Sequence, residues 1–385
     1  MADAGLAMSD TDLMRRAIEM AMRGRGRVEP NPMVGCVIAR QGRIIAEGHH
    51  QQFGGPHAEA NALAVCADPA GATAFVSLEP CCGYAGKRSP PCTRALIGSK
   101  LSRVVAACRD PNPFVSGKGL AELRSAGIAV EEGLLADEAR QLDAAYFKTI
   151  LRHRPYVTLK WAQTADGRIA GPGGQRLAIS NDASLSAMHQ LRSRSDAILV
   201  GIGTVRADDP LLTARVPNPR LAPLRIVLDT HLRLGLDSQI VRTASQSPPI
   251  VCCGQSAFDE KADLISRMNS FQVEVLPLRV EADGRLSLDD LLDKLGKRGL
   301  THLLVEPGPT LAESFLRRNL ADRVWIFRSP KRIGPEKSPE AAKIDYPATG
   351  SVALDGDELT EYLNPDGSAF HTLQKSADLA LVMGH

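Results

Sequence analysis

The sequence predicts two successive α/β domains. Strand-like and helix-like stretches alternate from Asp10 to about Ile150, and a second alternation begins at Tyr156. Between them, Arg152-His153-Arg154-Pro155 is a basic stretch stopped by proline, so the boundary is placed there, giving residues 1–152 and 153–385. A chain of 385 residues lets each half bury its own core.

In the first half, apolar Leu13, Met14, Ala17, Ile18, Ala21 and Met22 recur at helical spacing and predict an amphipathic helix over 10–23, begun by Asp10 or Thr11. Cys36 to Ala39 and Ile44 to Ala46, separated by Gly42, read as a hairpin. A helix is expected over 57–67, carrying His57 and Glu59 in its first turn. Strands are expected at 73–78, 103–107 and 128–130, and helices at 93–97, 118–126 and 137–150. The alternation is that of a three-layer α/β/α domain.

In the second half, strands are expected at 156–160, 197–200, 224–228, 250–253, 302–305 and 324–327, with helices at 184–194, 288–295 and 310–317. The tail after Pro330, rich in Pro, Gly and Asp, reads as irregular with a late strand near 379–382. There is no internal repeat or low-complexity segment.

A composition of 44% hydrophobic and 23% charged residues is that of a soluble globular protein. The formal charge of +2 gives no global pull toward nucleic acid or membrane, so small-molecule partners are expected. No apolar run approaches a membrane-spanning length, and residues 1–12 lack the basic-then-apolar order of a secretory signal; the expected compartment is the cytoplasm. Eight cysteines are too sparse for a disulfide scaffold. Cys81, Cys82 and Cys92 therefore read as a metal-binding cluster, and Cys36, Cys66 and Cys108 as small core residues.

Residues 57–92 hold the most informative chemistry. His57-Ala58-Glu59 opens the stretch, and Glu79-Pro80-Cys81-Cys82 with Pro90-Pro91-Cys92 closes it. One histidine and two thiolates fill three corners of a tetrahedral zinc site and leave the fourth for water, whose pKa zinc brings to about 7. Glu59, two residues past the histidine, is placed to take that water's proton and pass it to a ring nitrogen and then to departing ammonia. H-x-E followed by P-C and a later cysteine is the pattern of zinc-dependent nucleobase deaminases. A closed structural site with Cys82 or His49 as fourth ligand is the alternative. Cys82 also competes with Cys81, which is preferred because it directly follows Glu79-Pro80.

Asn31-Pro32-Met33-Val34-Gly35, His57-Ala58-Glu59, Leu78-Glu79-Pro80-Cys81-Cys82, Gly86-Lys87 with Pro90-Pro91-Cys92, and Asp110-Pro111-Asn112-Pro113 together resemble the bifunctional deaminase/reductase of bacterial riboflavin biosynthesis. The resemblance implies a cytidine-deaminase-like first domain with Zn2+ at His57, Cys81 and Cys92 and with Glu59 as catalytic proton shuttle. This chain departs from the family in having Gly83 where a histidine is usual and a longer loop to the second cysteine.

The resemblance spans nearly the whole chain and implies a second domain similar to dihydrofolate reductase. Independently, Val305-Glu306-Pro307-Gly308-Pro309-Thr310 runs from an apolar strand into a helix, Thr310 and Glu313 have capping-box spacing, and the free N–H groups of such a helix start suit a dinucleotide phosphate. Lys160-Trp161-Ala162, Asp166-Gly167-Arg168, the run from Thr204 to Pro210 and Leu211-Leu212-Thr213-Ala214-Arg215 match reductase motifs. By resemblance, NADPH contacts are expected from Ala162, Ala178, Thr204, Asp208, Thr230 and the turn Gly308, Pro309, Thr310, Leu311, Ala312, Glu313 and Ser314. Substrate contacts are expected from Lys160, Arg176, Arg192, Leu212, Arg215 and Glu306. For Arg192 alone, a solvated surface charge is the simpler expectation, and for Lys160 and Glu306 a core-edge ion pair. The family commonly has tryptophan where this chain has Ala178, which implies a missing stacking contact on the cofactor.

The expected activity is hydrolytic deamination of a phosphoribosylated diaminopyrimidine followed by NADPH-dependent reduction of its ribose to ribityl, in a homo-oligomer, dimer or tetramer. The alternatives are a deaminase with an impaired reductase domain and a nucleic-acid-editing deaminase. Near-neutral charge and 4% aromatic residues argue against a nucleic-acid partner.

Overall fold

The computed structural model describes residues 7–86, 89–175, 177–216, 222–334, 338–374, 376, 378 and 379. The chain forms two compact units, Met1–Arg152 with Ala369–Thr372, and His153–Ser368 with Leu373–His385. No sequence pattern announced that 369–372 would join the first unit. There, the Thr372 N–H donates to Gln141 Oε1 at 2.7 Å.

The first unit runs α1 (Asp10–Met22), β1 (Gly35–Arg40), β2 (Arg43–His49), α2 (Ala58–Ala64), β3 (Thr73–Val76), α3 (Cys92–Gly98), β4 (Arg103–Ala106), α4 (Lys118–Ser125), β5 (Ala129–Glu132), α5 (Ala136–Leu142) and α6 (Ala144–Arg152). Ser9 caps α1 in place of Asp10 or Thr11: its hydroxyl accepts the Asp12 N–H while the Asp12 carboxylate accepts the Ser9 N–H. The hairpin turns at Gln41-Gly42, both at positive φ.

The sheet order is β2-β1-β3-β4-β5, antiparallel on both sides of β1 and parallel from β3 onward. A Cβ added at Gly35 would stand 1.9 Å from Ala17 O of α1, whereas neighbouring Cys36 packs with Ala58 and Ala62 of α2, Leu96 of α3 and Leu123 of α4. Successive strand residues face opposite ways, so α1 covers one face and α2 to α4 the other. This is the three-layer arrangement expected. Cys36 and Cys108 are buried, and Cys66 packs at the edge of the core.

Two helices differ from expectation. The helix expected at 57–67 begins at Ala58, with His57 as its N-cap, and its end tightens through the Val65 N–H to Ala62 O and Cys66 N–H to Leu63 O bonds. The helix expected at 137–150 is two helices that part at Asp143, whose side chain turns inward to accept the Met33 N–H.

The second unit runs β6 (Tyr156–Thr164), α7 (Asp182–Ser193), β7 (Ala197–Gly201), α8 (Ile202–Asp208), β8 (Leu224–Leu228), α9 (Gln239–Arg242), β9 (Pro249–Gly254), α10 (Gln255–Glu260), α11 (Ala262–Ser270), β10 (Glu274–Leu278), α12 (Leu288–Lys297), β11 (His302–Val305), α13 (Pro309–Arg317), β12 (Arg323–Ser329), β13 (Ala348–Leu354) and β14 (Asp357–Leu363). The sheet order is β10-β9-β8-β7-β11-β6-β12-β14-β13, parallel through β12 and antiparallel beyond it. Ile198 and Val200 face the side of α7, α9 and α11, while Ala197 and Leu199 face the side of α12 and α13. Helices thus cover both faces of this sheet too.

The tail after Pro330 is not irregular, because β13 and β14 extend the sheet. Of the strand expected near 379–382, residue 379 lies in a helical turn and 380–382 fall outside the described residues. The expected capping box on the helix after Val305 is also absent: Gly308 is the N-cap and Pro309 the first helical residue, which puts Thr310 two places too late to cap.

Candidate active sites

In the first unit, three loops converge. His57 caps α2 with extended backbone, Cys81 follows Glu79-Pro80 beyond the end of β3, and Cys92 opens α3. His57 Nδ1 lies 3.4 Å from Cys81 Sγ and 3.3 Å from Cys92 Sγ, and the three ligand atoms all stand within 4.8 Å of one another. One nitrogen and two sulfurs at such spacing fit a tetrahedral zinc ion. Cys82 turns away and donates its thiol to Phe114 O at 3.6 Å, and neither it nor His49 joins the cluster among the described residues.

The electrostatics follow from burial and contact. Hydrogen bonding from Cys92, with help from His57, pushes the Cys81 thiol down to about 3, and the same contact together with burial pushes Cys92 up. Glu59 is 3% exposed, and its burial, reinforced by Cys81, raises its carboxyl to about 6. Glu59 and the Cys92 thiol shift each other's titration, as Glu59 and Cys81 do, so the carboxyl sits beside the cluster.

Sequence reasoning quoted Glu79 as part of the motif and missed what it does. Its buried carboxylate accepts the N–H groups of Gly117 at 2.9 Å, Gly119 at 3.0 Å, Asp110 at 3.3 Å and Leu120 at 3.3 Å. It thereby pins the start of α4 and the Asp110 loop against the Cys81 loop, at the end of the helix where an anion is favoured. A Cβ on Gly119 would stand 2.0 Å from Pro80 O, so only glycine allows this approach. The available signal was a carboxylate immediately before Pro-Cys.

In the second unit, the chain lays down β6 and β7, continues outward to β10, and returns to place β11 between β6 and β7. The crevice at the carboxyl ends of such strands is where open α/β sheets bind ligands. Glu306 follows β11, and its N–H donates to Leu199 O of β7 at 2.9 Å. The Arg192 guanidinium from α7 grips the Glu306 carboxylate at 2.6 and 2.7 Å and donates to Thr213 O at 3.1 Å. Arg192 is therefore no solvated surface charge; it is 8% exposed.

Lys160 sits with its amine 5.1 Å from the Phe327 ring; desolvation lowers its pKa despite the nearby Glu306. Burial tends to raise the Glu306 carboxyl, but Arg192, Lys160 and His189 outweigh it and hold it below its ordinary value. Leu212 carries its side chain into the core at 1% exposure with φ 52, so any contact it makes with a ligand is through its backbone. Arg215 lies nearby, its Nε 3.1 Å from His189 Nε2.

Ala162 lies on β6, and Thr204 and Asp208 lie on α8 at the end of β7. Thr230 follows β8, its carbonyl accepting the Gly254 N–H at 3.0 Å. Gly308 to Ser314 form the start of α13, which no side chain caps; Ala312 is buried beneath it, and Ser314 Oγ donates to Thr310 O at 2.8 Å. Ala178 is exposed, its carbonyl receiving Lys331 Nζ at 2.5 Å. Lys87 and Arg176 fall outside the described residues.

A zinc-type N/S cluster on one α/β unit and an uncapped helix start beside a charged crevice on another define a bifunctional deaminase–reductase. Residues 8–108 match the cytidine and deoxycytidylate deaminase zinc-binding region, and residues 155–344 match the RibD C-terminal domain. The riboflavin biosynthesis protein RibD of Actinobacillus pleuropneumoniae is 41% identical over 86% of this chain and 86% of its own length. That of Escherichia coli is 39% identical over 86% of this chain and 90% of its own. Among solved structures, Acinetobacter baumannii RibD is 33% identical with a TM-score of 0.80, covering 92% of this chain and 98% of that one. A diaminohydroxyphosphoribosylaminopyrimidine deaminase/5-amino-6-(5-phosphoribosylamino)uracil reductase from Thermotoga maritima is 34% identical with a TM-score of 0.78, over 92% and 98%.

The chain belongs to the RibD family, enzymes of riboflavin biosynthesis that join a zinc-binding deaminase domain to a dihydrofolate-reductase-like, NADPH-using reductase domain. This fits the two-step reading and not the nucleic-acid-editing one. No helix among the described residues is long and apolar enough to cross a membrane.

Proposed function

We propose that this chain deaminates diaminohydroxyphosphoribosylaminopyrimidine and then reduces the ribose of 5-amino-6-(5-phosphoribosylamino)uracil to ribityl. The carrying observation is the convergence of His57, Cys81 and Cys92 beside the buried Glu59 carboxyl. In this reading those three residues hold zinc, which when bound supplies a Lewis acid that makes water a nucleophile near neutral pH. Glu59 is the proton carrier: its raised carboxyl would take one proton of the attacking water and deliver it to the pyrimidine ring nitrogen, then take the second from the hydroxyl of the resulting adduct and deliver it to the amino group leaving as ammonia.

In the second unit, NADPH supplies the hydride, and the protein orients the partners. The start of α13 at Gly308 to Ser314 receives cofactor phosphate, with Ala162, Ala178, Thr204, Asp208 and Thr230 along the rest of the cofactor. Lys160, Arg176, Arg192, Leu212, Arg215 and Glu306 hold the phosphoribosyl substrate, with an arginine fork suited to phosphate. Domains 1–152 and 153–385 divide the two reactions; the protein works in the cytoplasm, and the family resemblance supports a homo-oligomer, dimer or tetramer.

The test supplies the diaminopyrimidine phosphate with and without NADPH, following ammonia and NADPH oxidation separately. Ammonia release is expected in both arms, and NADPH oxidation only after it. NADPH oxidation that precedes or exceeds ammonia release would overturn the order proposed, and ammonia without oxidation would mark the reductase as inactive.

A further inference from the structure

We propose that Asp143, the residue at which α5 and α6 part, is a positioning residue of the deaminase site, acting through the Asn31–Val34 loop on the Asn31–His50 pair. Asp143 is 5% exposed and follows α5 with non-helical backbone, while its carbonyl accepts the Phe147 N–H at 3.0 Å and so begins α6. Its side chain is thereby freed from the helix surface and turned inward. Oδ1 accepts the Met33 N–H at 2.8 Å, a bond between residues 110 positions apart. A carboxyl is costly to bury, and the bond it makes here fixes a loop rather than a core contact.

The loop leads directly to the cluster. Asn31 Nδ2 lies 3.2 Å from His50 Nε2, and the His50 N–H donates to Val34 O at 2.9 Å. His50 Nδ1 is 2.9 Å from Pro56 O, which makes Nδ1 the protonated nitrogen and leaves Nε2 to accept from Asn31. The His50 ring meets His57 edge-on at 5.4 Å. Asp143 to Met33, Met33 to the adjoining Val34 and through Pro32 to Asn31, and those two to His50 form a continuous path ending beside the cluster histidine.

Burial pushes the Asp143 carboxyl well above the usual carboxylate range, against the pull of the Met33 N–H. A neutral amide is therefore a close mimic of it, whereas an aliphatic side chain of similar size keeps the volume and loses the acceptor. Asparagine and leucine at this position separate positioning from packing.

The inference rests on the deaminase reading of the first site, which ammonia release by the unaltered zinc-loaded enzyme tests separately. In the full chain, Asp143→Leu is expected to lower kcat/KM for ammonia release about tenfold to hundredfold, mostly through KM. Zinc content and NADPH oxidation on the already deaminated uracil stay unchanged. Asp143→Asn is expected to recover ammonia release to within about threefold of the unaltered enzyme, because its amide oxygen still accepts the Met33 N–H. The proposal is overturned if Asp143→Asn falls as far as Asp143→Leu, if Asp143→Leu loses zinc or both activities together, or if ammonia release is unaffected.

Discussion

The Arg192 guanidinium and the Glu306 carboxylate face each other through two parallel hydrogen bonds of 2.6 and 2.7 Å, with side chains only 10% and 17% exposed. The fork fixes orientation as well as charge. Removing one member strands the other in a poorly hydrated crevice. Glu306→Gln is therefore expected to lower the stability of the second unit by about 3 kcal/mol, the low end for a buried pair because neither side chain is fully covered. Arg192→Lys is expected to keep the charge but lose the fork, raising KM in the NADPH-oxidation assay while ammonia release is untouched. Equal losses in both activities would place the pair outside the reductase site.

The same pair sets a pH dependence. Glu306 is held below its ordinary value of 4.5, so folding favours its ionised form. Its contribution to stability is fully present above about pH 4.5 and is lost as the pH falls through the lowered native value. Acid unfolding followed from pH 6 to pH 2 is expected to lose this component in the unaltered chain and to lack it in Glu306→Gln.

Glu59→Gln is expected to retain zinc and to lose ammonia release by at least about a hundredfold, the lower range for a general acid–base group. NADPH oxidation on supplied uracil intermediate remains. Cys81→Ser is expected to lose zinc as well as activity, because a thiolate ligand is gone. Cys82→Ser, whose thiol only donates to Phe114 O, is expected to keep both. Zinc content by metal analysis distinguishes the three variants, and zinc loss in Cys82→Ser rather than Cys81→Ser would reverse the ligand assignment.

What was legible in the sequence was chemistry that repeats locally. His57, Glu59, Cys81 and Cys92 stand out because metal ligands and their proton carrier must be particular residue types at short spacing. The alternating apolar strands were equally plain. What the sequence hid depends on distant partners. Asp143 reads as an ordinary polar residue inside a helix until its bond to Met33 is seen. The hairpin of β13 and β14 was obscured because inward positions of β14 carry Asp357 and Glu361. Both are satisfied: Asp357 by the Asn181 N–H and Ser184 hydroxyl, Glu361 by Trp325 Nε1 and Ser376. The capping-box spacing at Thr310 misled for a local reason, since Gly308-Pro309 starts the helix earlier.

Gly119 gives a sharp test of the Glu79 anchor. The Cβ of Gly119→Ala would meet Pro80 O at 2.0 Å, and backbone cannot yield as a flexible side chain can. The start of α4 must shift away from the Cys81 loop, at an expected cost of about 1–3 kcal/mol. Weaker zinc retention under chelator challenge should accompany the lower thermal stability. Unchanged retention would mean that Glu79 anchors α4 without bearing on the cluster.

Ala178 offers a gain rather than a loss. It is exposed, and only its backbone carbonyl is engaged, by Lys331 Nζ, so a larger side chain there displaces no core group. If Ala178 lies along the cofactor as proposed, Ala178→Trp adds an aromatic face and is expected to tighten NADPH by about 1 kcal/mol, roughly fivefold in Kd. The backbone bond from Lys331 survives the substitution, so stability should hardly change. Titration of NADPH against the intrinsic tryptophan fluorescence, together with the KM for NADPH in the oxidation assay, reads the effect. Unaltered affinity in both would remove Ala178 from the cofactor site.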